Sequence, residues 1–216
     1  MSKWDEMART RDQLSSMLSA KQKTVYIQIV ESVEYGSKDF FFLYGYGGTS
    51  KTFIWITLSS GLHAKGYIVL NAASTGIASL LLQCGCTTHS SFEIPLQINE
   101  TSICNFDRKS DKTDLFIKTK LIIWDEAPIM HHWCFEAFGR SLRDMMSYNG
   151  CRQDIMAAAI NSSKLCDHCK ILKLSTNMRL SASTVHVKQI AIKMFAKYEF
   201  FRSVMEMSPD EGGKLV

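Results

Sequence analysis

Apolar residues return at helical spacing at Leu14, Met17 and Leu18, and again at Val25, Tyr26, Ile29, Val30 and Val33. A repeat of three and four residues predicts an amphipathic helix or helical pair. Between the two runs, Ser19-Ala20-Lys21-Gln22 has the capping-box pattern, in which Ser19 caps the helix and Gln22 reaches back to its N–H. Residues 1–13 are charged and unpatterned and read as a flexible lead-in. After Tyr35-Gly36-Ser37 the period changes. Residues 40–44 are a continuous aromatic and aliphatic run, which predicts a buried strand, and a glycine- and threonine-rich turn follows it. Phe53, Ile54, Trp55, Ile56, Leu58 and Leu62 then form a strongly apolar helix that Gly61 weakens and Gly66 stops. Residues 67–70 read as the next strand, 71–76 as a small-residue turn and 77–82 as an apolar helix. Strand, turn and helix twice in succession predict a parallel α/β sheet with right-handed crossovers.

Further along, residues 87–92 and 99–112 read as loop, and Leu121-Ile122-Ile123-Trp124-Asp125-Glu126 as an apolar strand ending in two carboxylates. Helical spacing resumes over 132–146 through Phe135, Phe138, Leu142 and Met145. A turn at 147–152, a helix near 153–160, a short strand at 171–174, a loop at 175–180 and an amphipathic helix at 185–200 complete the pattern.

Composition narrows the class without choosing a function. The 216 residues are 46% hydrophobic with 12 Gly and 3 Pro, enough for one good core and neither disordered nor fibrous. No apolar run approaches the roughly 20 residues of a bilayer span, and the start is polar, so a soluble intracellular protein is expected, with no membrane partner. A formal net charge of +4 permits an anionic partner but does not argue for one. The 7 cysteines read as reduced thiols. Cys166 and Cys169 have a C-x-x-C spacing and, with Cys84 and Cys86, offer a zinc-site alternative, although small half-buried thiols are the simpler reading.

The chemistry concentrates in the turn between the first strand and its helix. A phosphate loop follows G-x-x-x-x-G-K-[ST]: backbone N–H groups surround the β-phosphate, lysine reaches the outer oxygens, and the hydroxyl ligates Mg²⁺. Gly45, Lys51 and Thr52 match, whereas Ser50 stands where the second glycine belongs. An ordinary glycine-rich turn is the competing reading. The downstream Asp125 and Glu126, in the right order for a metal ligand and a water-polarising acid, favour the nucleotide site.

Taken together, several segments resemble the Pif (petite integration frequency) family of ATP-dependent DNA helicases, relatives of RecD within superfamily one, and its plant or transposon-associated branch most closely. They are residues 18–22 with Tyr26 and Ile29, FFLYGYGGT-KT at 41–52, NAASTGIASLLL at 71–82, and Thr88-His89-Ser90 with Phe92-Glu93-Ile94-Pro95. LIIWDEAP at 121–128, His131, Cys134 to Ala137, and LSTNMRL at 174–180 complete the set. The resemblance implies a RecA-like P-loop NTPase domain, a parallel sheet flanked by helices on both faces, over residues 14–180, with 181–216 as the helical start of a connection to a second motor domain that the chain does not reach. It implies ATP and Mg²⁺ as cofactors, held by Gln22 at the adenine, by Gly45, Gly47, Gly48, Thr49, Ser50, Lys51 and Thr52 at the phosphates, and by Thr52 and Asp125 at the metal. Glu126, Lys51 and Arg179 take catalytic roles, Arg179 at the γ-phosphate, and Ser74, Thr75, Thr88 and His89 hold single-stranded DNA. Single-stranded DNA or duplex junctions are the implied partners, repair, recombination and telomere maintenance the implied processes, and the nucleus, or alternatively the mitochondrion, the destination, with a monomer as the default state. From the residues alone Gln22 is equally a helix cap, Arg179 a surface ion-pair residue, and the Ser and Thr positions turn formers.

Three departures qualify that picture. Ser50 adds a Cβ where glycine allows close backbone approach, costing about 1–3 kcal/mol if its φ is positive. The segment between Met146 and Cys151 is much shorter than the family's, which places there a strand with a Gly-Asp-x-x-Gln type motif, so one central strand of the sheet is in question. The family's second motor domain is not expected within residues 1–216. A catalytically inactive fragment that at most binds nucleotide or single-stranded DNA weakly is the alternative function.

Overall fold

The computed structural model describes residues 3–37, 39–107, 109–148 and 169–178. It opens with two helices, α1 (Lys3–Ser16) and α2 (Ala20–Glu34), so within the lead-in expected over 1–13 the described residues 3–13 are helical instead. Ser19 breaks the pair with an extended backbone, its hydroxyl accepting the Gln22 N–H at 3.4 Å while Gln22 Oε1 accepts the Ser19 N–H at 2.9 Å. Both halves of the expected capping box are formed.

The strands and helices then alternate: β1 (Phe40–Gly45), α3 (Lys51–His63), β2 (Ile68–Ala73), α4 (Gly76–Leu80), β3 (Cys86–Thr87), α5 (Thr88–Phe92), α6 (Asp111–Lys118), β4 (Thr119–Asp125), a 3₁₀ turn (Ala127–Ile129), α7 (His132–Tyr148) and β5 (Cys169–Leu174). Four differences from the sequence pattern have local causes. Asn71 to Ala73 continue β2 instead of forming a turn, because the buried Asn71 amide is satisfied: Oδ1 accepts from Ser59 Oγ at 3.0 Å and Nδ2 donates to the Gln83 carbonyl at 2.8 Å. Residues 87–92 are not loop but the end of β3 and α5, with the Thr87 hydroxyl capping α5. Helix α6 lies partly within the expected 99–112 loop, its start marked by the Ser110 cap and by Asp111 and Asp114 in the first turn. Helix α7 runs through Ser147 to Tyr148, where a turn was expected. The helices expected near 153–160 and 185–200 lie outside the described residues.

All strand pairs are parallel. β1 pairs with β5, and β2 lies between β3 and β4. Among the described residues no pairing joins the two groups. One core nevertheless underlies both: Leu43 of β1, Leu174 of β5, Val69 of β2 and Ile123 of β4 cluster with Val25, Ile29, Ile54, Leu58 and Leu62 of α2 and α3. On the opposite face Leu70, Ala72, Ile122 and Trp124, the alternate residues of β2 and β4, pack against Phe92, Phe116, Cys134, Ala137 and Phe138. Phe92 stacks on Phe138 at 4.2 Å between ring centroids and Trp124 on Phe135 at 4.4 Å. Period-two alternation between two apolar clusters makes a layer of parallel sheet covered by helices on both faces, the architecture expected from the sequence.

Gly61 weakens α3 only in isolation. A Cβ there would run into the Tyr26 hydroxyl of α2, so the glycine lets the two helices approach. Gly61→Ala is expected to lower stability by about 1–3 kcal/mol through overpacking, read by urea unfolding. In a Tyr26→Phe background, which removes the obstructing oxygen, the same change should cost less than half as much; equal costs in both backgrounds would exclude this contact as the cause.

Candidate nucleotide site

Within each strand group the described pairs are parallel, so their carboxyl ends lie side by side, the edge where ligands of such sheets bind. Gly45 pairs with Leu174, and Ala73 with Asp125 on one side and Thr87 on the other. The turns leaving these residues are therefore the ones that carry the expected chemistry.

The loop from Gly45 to Thr52 is closed by its own hydrogen bonds. The Thr49 N–H and hydroxyl both donate to the Tyr46 carbonyl, at 3.2 and 2.8 Å. A Cβ on Gly45 would meet the Thr49 side chain and Leu174, and one on Gly48, whose φ is +87°, would meet Asn177. Ser50 has φ 56° and ψ 44°, left-handed backbone, and precedes α3 without a side-chain cap. The strain foreseen for a serine at this point is thus present. Lys51 and Thr52, both half-buried, are the first residues of α3 and stand at its positive end. Lys51 Nζ donates to the Gly45 carbonyl at 2.6 Å. Burial pushes its ammonium pKa below the ordinary lysine range, and the Asp125 carboxylate opposes that shift.

Asp125 and Glu126 face this loop through α3. Trp55, one turn after Lys51, donates its indole N–H to Asp125 Oδ1 at 3.2 Å, and the Glu126 N–H reaches the same oxygen at 3.1 Å. Glu126 has φ 55°, a second non-glycine residue in left-handed backbone. Its Oε2 accepts from Thr75 Oγ1 at 2.5 Å. Ser74 binds the Asp125 carbonyl through its N–H at 3.1 Å and through its hydroxyl at 3.4 Å, and its Oγ accepts the Trp124 indole N–H at 3.0 Å. Lysine, hydroxyl and carboxylates thus gather near a turn in which Gly45 and Gly48 pack closely on Thr49 and Asn177, and this donor set fits a phosphate with a hard divalent cation.

Gln22 is 2% exposed. Besides closing the capping box, its Nε2 donates to the Thr49 carbonyl at 3.2 Å, so both ends of the amide are engaged within the protein and tie α2 to the loop.

A family model described as PIF1-like helicase matches residues 17–150 and 146–201. The chain belongs to the PIF1-like helicase family. It is 31% identical over 102 residues to the ATP-dependent DNA helicase PIF3 of Trypanosoma brucei brucei (strain 927/4 GUTat10.1), covering 47% of this chain and 12% of that protein. Three solved structures share its fold. A Bacteroides Pif1 bound to ssDNA aligns with a TM-score of 0.53 at 21% identity, over 76% of this chain and 43% of that one. Pif1 from a structure of forked dsDNA unwinding by two coordinating helicases aligns with a TM-score of 0.58 at 18% identity, over 90% and 50%. A Bacteroides sp Pif1 in complex with ADP-AlF4 aligns at 0.56 and 17% identity, over 90% and 48%. The chain therefore spans at most half the length of these relatives.

For this PIF1-like chain, the remaining expected residues divide. Thr88 is fully buried at the start of α5, its hydroxyl 3.8 Å from Met130 Sδ, so it faces the core and is not presented to a DNA strand. His89 is half-buried with Nδ1 3.1 Å from the Ile94 carbonyl. Ser74 and Thr75 are half-buried at the edge and bound to the acid pair. Arg179 lies outside the described residues, but the segment before it is anchored on the loop: Asn177 Nδ2 donates to the Gly47 carbonyl at 3.0 Å and the Met178 N–H to the Gly48 carbonyl at 2.9 Å. Trp55, Asn177 and the Thr75–Glu126 bond were not anticipated. The i, i+4 spacing of Lys51 and Trp55 was the available signal for the first. For zinc, no group of three or more His, Cys, Asp or Glu residues able to hold a metal occurs among the described residues, and Cys166 lies outside them. No described helix is long and apolar enough to cross a membrane.

Two outcomes test the loop. Ser50→Gly relieves a left-handed conformation costing about 1–2 kcal/mol, offset by the roughly 0.5–1 kcal/mol of extra chain entropy that glycine loses on folding. It should hold or raise stability in urea unfolding, while Ser50→Val should lower it. For Lys51, a folded-state pKa below the reference 10.5 means that the unfolded chain binds more protons between those two values. Stability contributed by this site therefore rises with pH as it climbs toward 10.5 through that window, and Lys51→Met should remove the rise from the difference between paired melting curves.

Proposed function

We propose that this chain is the first motor domain of a Pif-type DNA helicase, binding ATP with Mg²⁺ at the Gly45 to Thr52 loop and coupling its hydrolysis to movement on DNA. The observation that supports this most is the meeting of Lys51, Asp125 and Glu126 at the carboxyl edge of the sheet, joined through Trp55. Lys51 would exchange the Gly45 carbonyl for phosphate oxygens, which restores a charge partner to its half-buried ammonium. Thr52 and Asp125 would hold the cation, which supplies charge neutralisation on the phosphates when bound. Glu126 would orient and polarise the attacking water, and Arg179 would meet the terminal phosphate. Gln22, oriented by the Thr49 carbonyl and the Ser19 N–H, is the proposed adenine contact through its remaining amide hydrogen and lone pair.

Single-stranded DNA or a duplex junction is the proposed partner, consistent with the relatives solved with ssDNA and forked dsDNA. Ser74 and His89 are the candidate phosphate contacts that remain at or near the edge, and Thr75 joins them only through its backbone, its hydroxyl being engaged by Glu126 and Ala78. Roles in repair, recombination and telomere maintenance, a nuclear or alternatively mitochondrial destination, and membership of the plant or transposon-associated branch complete the proposal on the strength of the resemblance.

Ser50 supports a second reading. Its left-handed backbone places a side chain where the loop approaches phosphate most closely, which favours an inactive domain that binds nucleotide weakly. Calorimetric titration with Mg-ATP and hydrolysis assays with and without oligothymidylate, on the chain and on Ser50→Gly, separate the two. The motor reading expects binding in both, tighter in Ser50→Gly by several fold, and DNA-stimulated turnover. Binding without turnover in either establishes the inactive domain, and no binding in either overturns the nucleotide site.

A further inference from the structure

We propose that Thr75 is the positioning residue of the water-polarising acid: its hydroxyl holds the Glu126 carboxylate, so that the turn after β2 and the acid after β4 move as one unit. The inference rests on the role given to Glu126 above and adds to it the group that sets its geometry.

Glu126 leaves β4 in left-handed backbone, which turns its side chain away from the course of the strand. A glutamate there has several rotamers, and a carboxylate that must aim a water needs one of them. Thr75 Oγ1 supplies the side-chain donor at 2.5 Å. Thr75 is itself held: its oxygen accepts the Ala78 N–H at 3.3 Å as the cap of α4, which leaves the hydroxyl proton directed elsewhere, onto Glu126. The β-branched side chain restricts χ1, so the donor has little freedom to swing away. The backbone beneath is fastened separately. Ser74 binds the Asp125 carbonyl, and the Trp124 indole binds Ser74 Oγ. The turn is therefore registered on Asp125 whatever residue 75 is, and among the described residues the Thr75 hydroxyl is the side-chain donor that reaches the reactive carboxylate. Removing it should leave the fold and the phosphate loop in place while loosening the acid.

The test uses the full chain labelled with ¹³C at glutamate carboxyls, the Glu126 signal being identified by its loss in Glu126→Gln. Thr75→Val removes the donor. Thr75→Gly also removes the donor and is tolerated as a helix cap, which guards against a Val variant that fails to fold. Thr75→Ser keeps both functions. The Glu126 carboxyl resonance should move in Val and Gly and stay at the wild-type position in Ser. In Mg-ATP hydrolysis the Val variant should lose about tenfold in kcat with KM unchanged within about twofold, and Ser should recover it. An unmoved resonance in Val and Gly, a Ser resonance displaced as far as Val, or a rise in KM at constant kcat would each overturn the proposal. If the wild-type chain hydrolyses no ATP, the catalytic role of Glu126 fails on its own account, and the resonances still decide whether Thr75 holds the carboxylate.

Discussion

Asp125 is the residue on which the site closes. Its carboxylate receives the Trp55 indole from α3 and the N–H of Glu126, and its carbonyl receives Ser74 from the end of β2. The Ser74 contact depends on the parallel register that sets Ala73 beside Asp125. In an antiparallel pair the turn after one strand would lie beside the beginning of the other, and no such junction would form. The acid pair and the small-residue turn are thus brought together by strand direction, and α3, through Trp55, ties the Gly45 to Thr52 loop to them.

Strain marks both ends of that arrangement. Ser50 and Glu126 have φ of 56° and 55°, a conformation that costs a non-glycine residue about 1–2 kcal/mol. At Glu126 the surroundings over-determine the conformation, through Asp125 on the backbone and Thr75 on the side chain, which together hold its carboxylate on the Thr75 hydroxyl. At Ser50 the neighbours are equally fixed, with Thr49 bound to Tyr46 and to Gln22, yet Ser50 makes no cap bond in return. The same backbone conformation is therefore useful in one place and a burden in the other.

Between the two strand groups the sheet has no described pairing, although Leu43, Ile123 and Leu174 share one core beneath α3. The short stretch after Met146 coincides with the junction of the two family-model matches at residues 146–150. Packing against a helix is non-directional and tolerates a gap in the layer, whereas strand pairing does not. Helix α3 consequently carries much of the connection from the phosphate loop to the acid pair, which is why Trp55 matters to the site.

Much of this was legible in the chain. The apolar run before a glycine turn, the capping box at Ser19 and Gln22, and the acid pair after LIIW are local patterns, and each formed where its own residues dictated. The parallel layer followed from repeated strand, turn and helix. Helix α6 was missed although its cap and acidic first turn were in view, because its apolar content is low. Asn71 read as a turn residue because its two amide partners, Ser59 and the Gln83 carbonyl, are 12 residues away in the sequence. Thr88 looked available to a ligand until the core closed over it. The sequence by itself therefore determined which groups exist and in what order, since periodicity, caps and turns act over a few residues. Only the tertiary structure decided which hydroxyl faces a carboxylate and which faces the core, that the Gln22 amide is occupied by a cap and a loop, and that Thr75 meets Glu126, since those contacts depend on packing between distant segments.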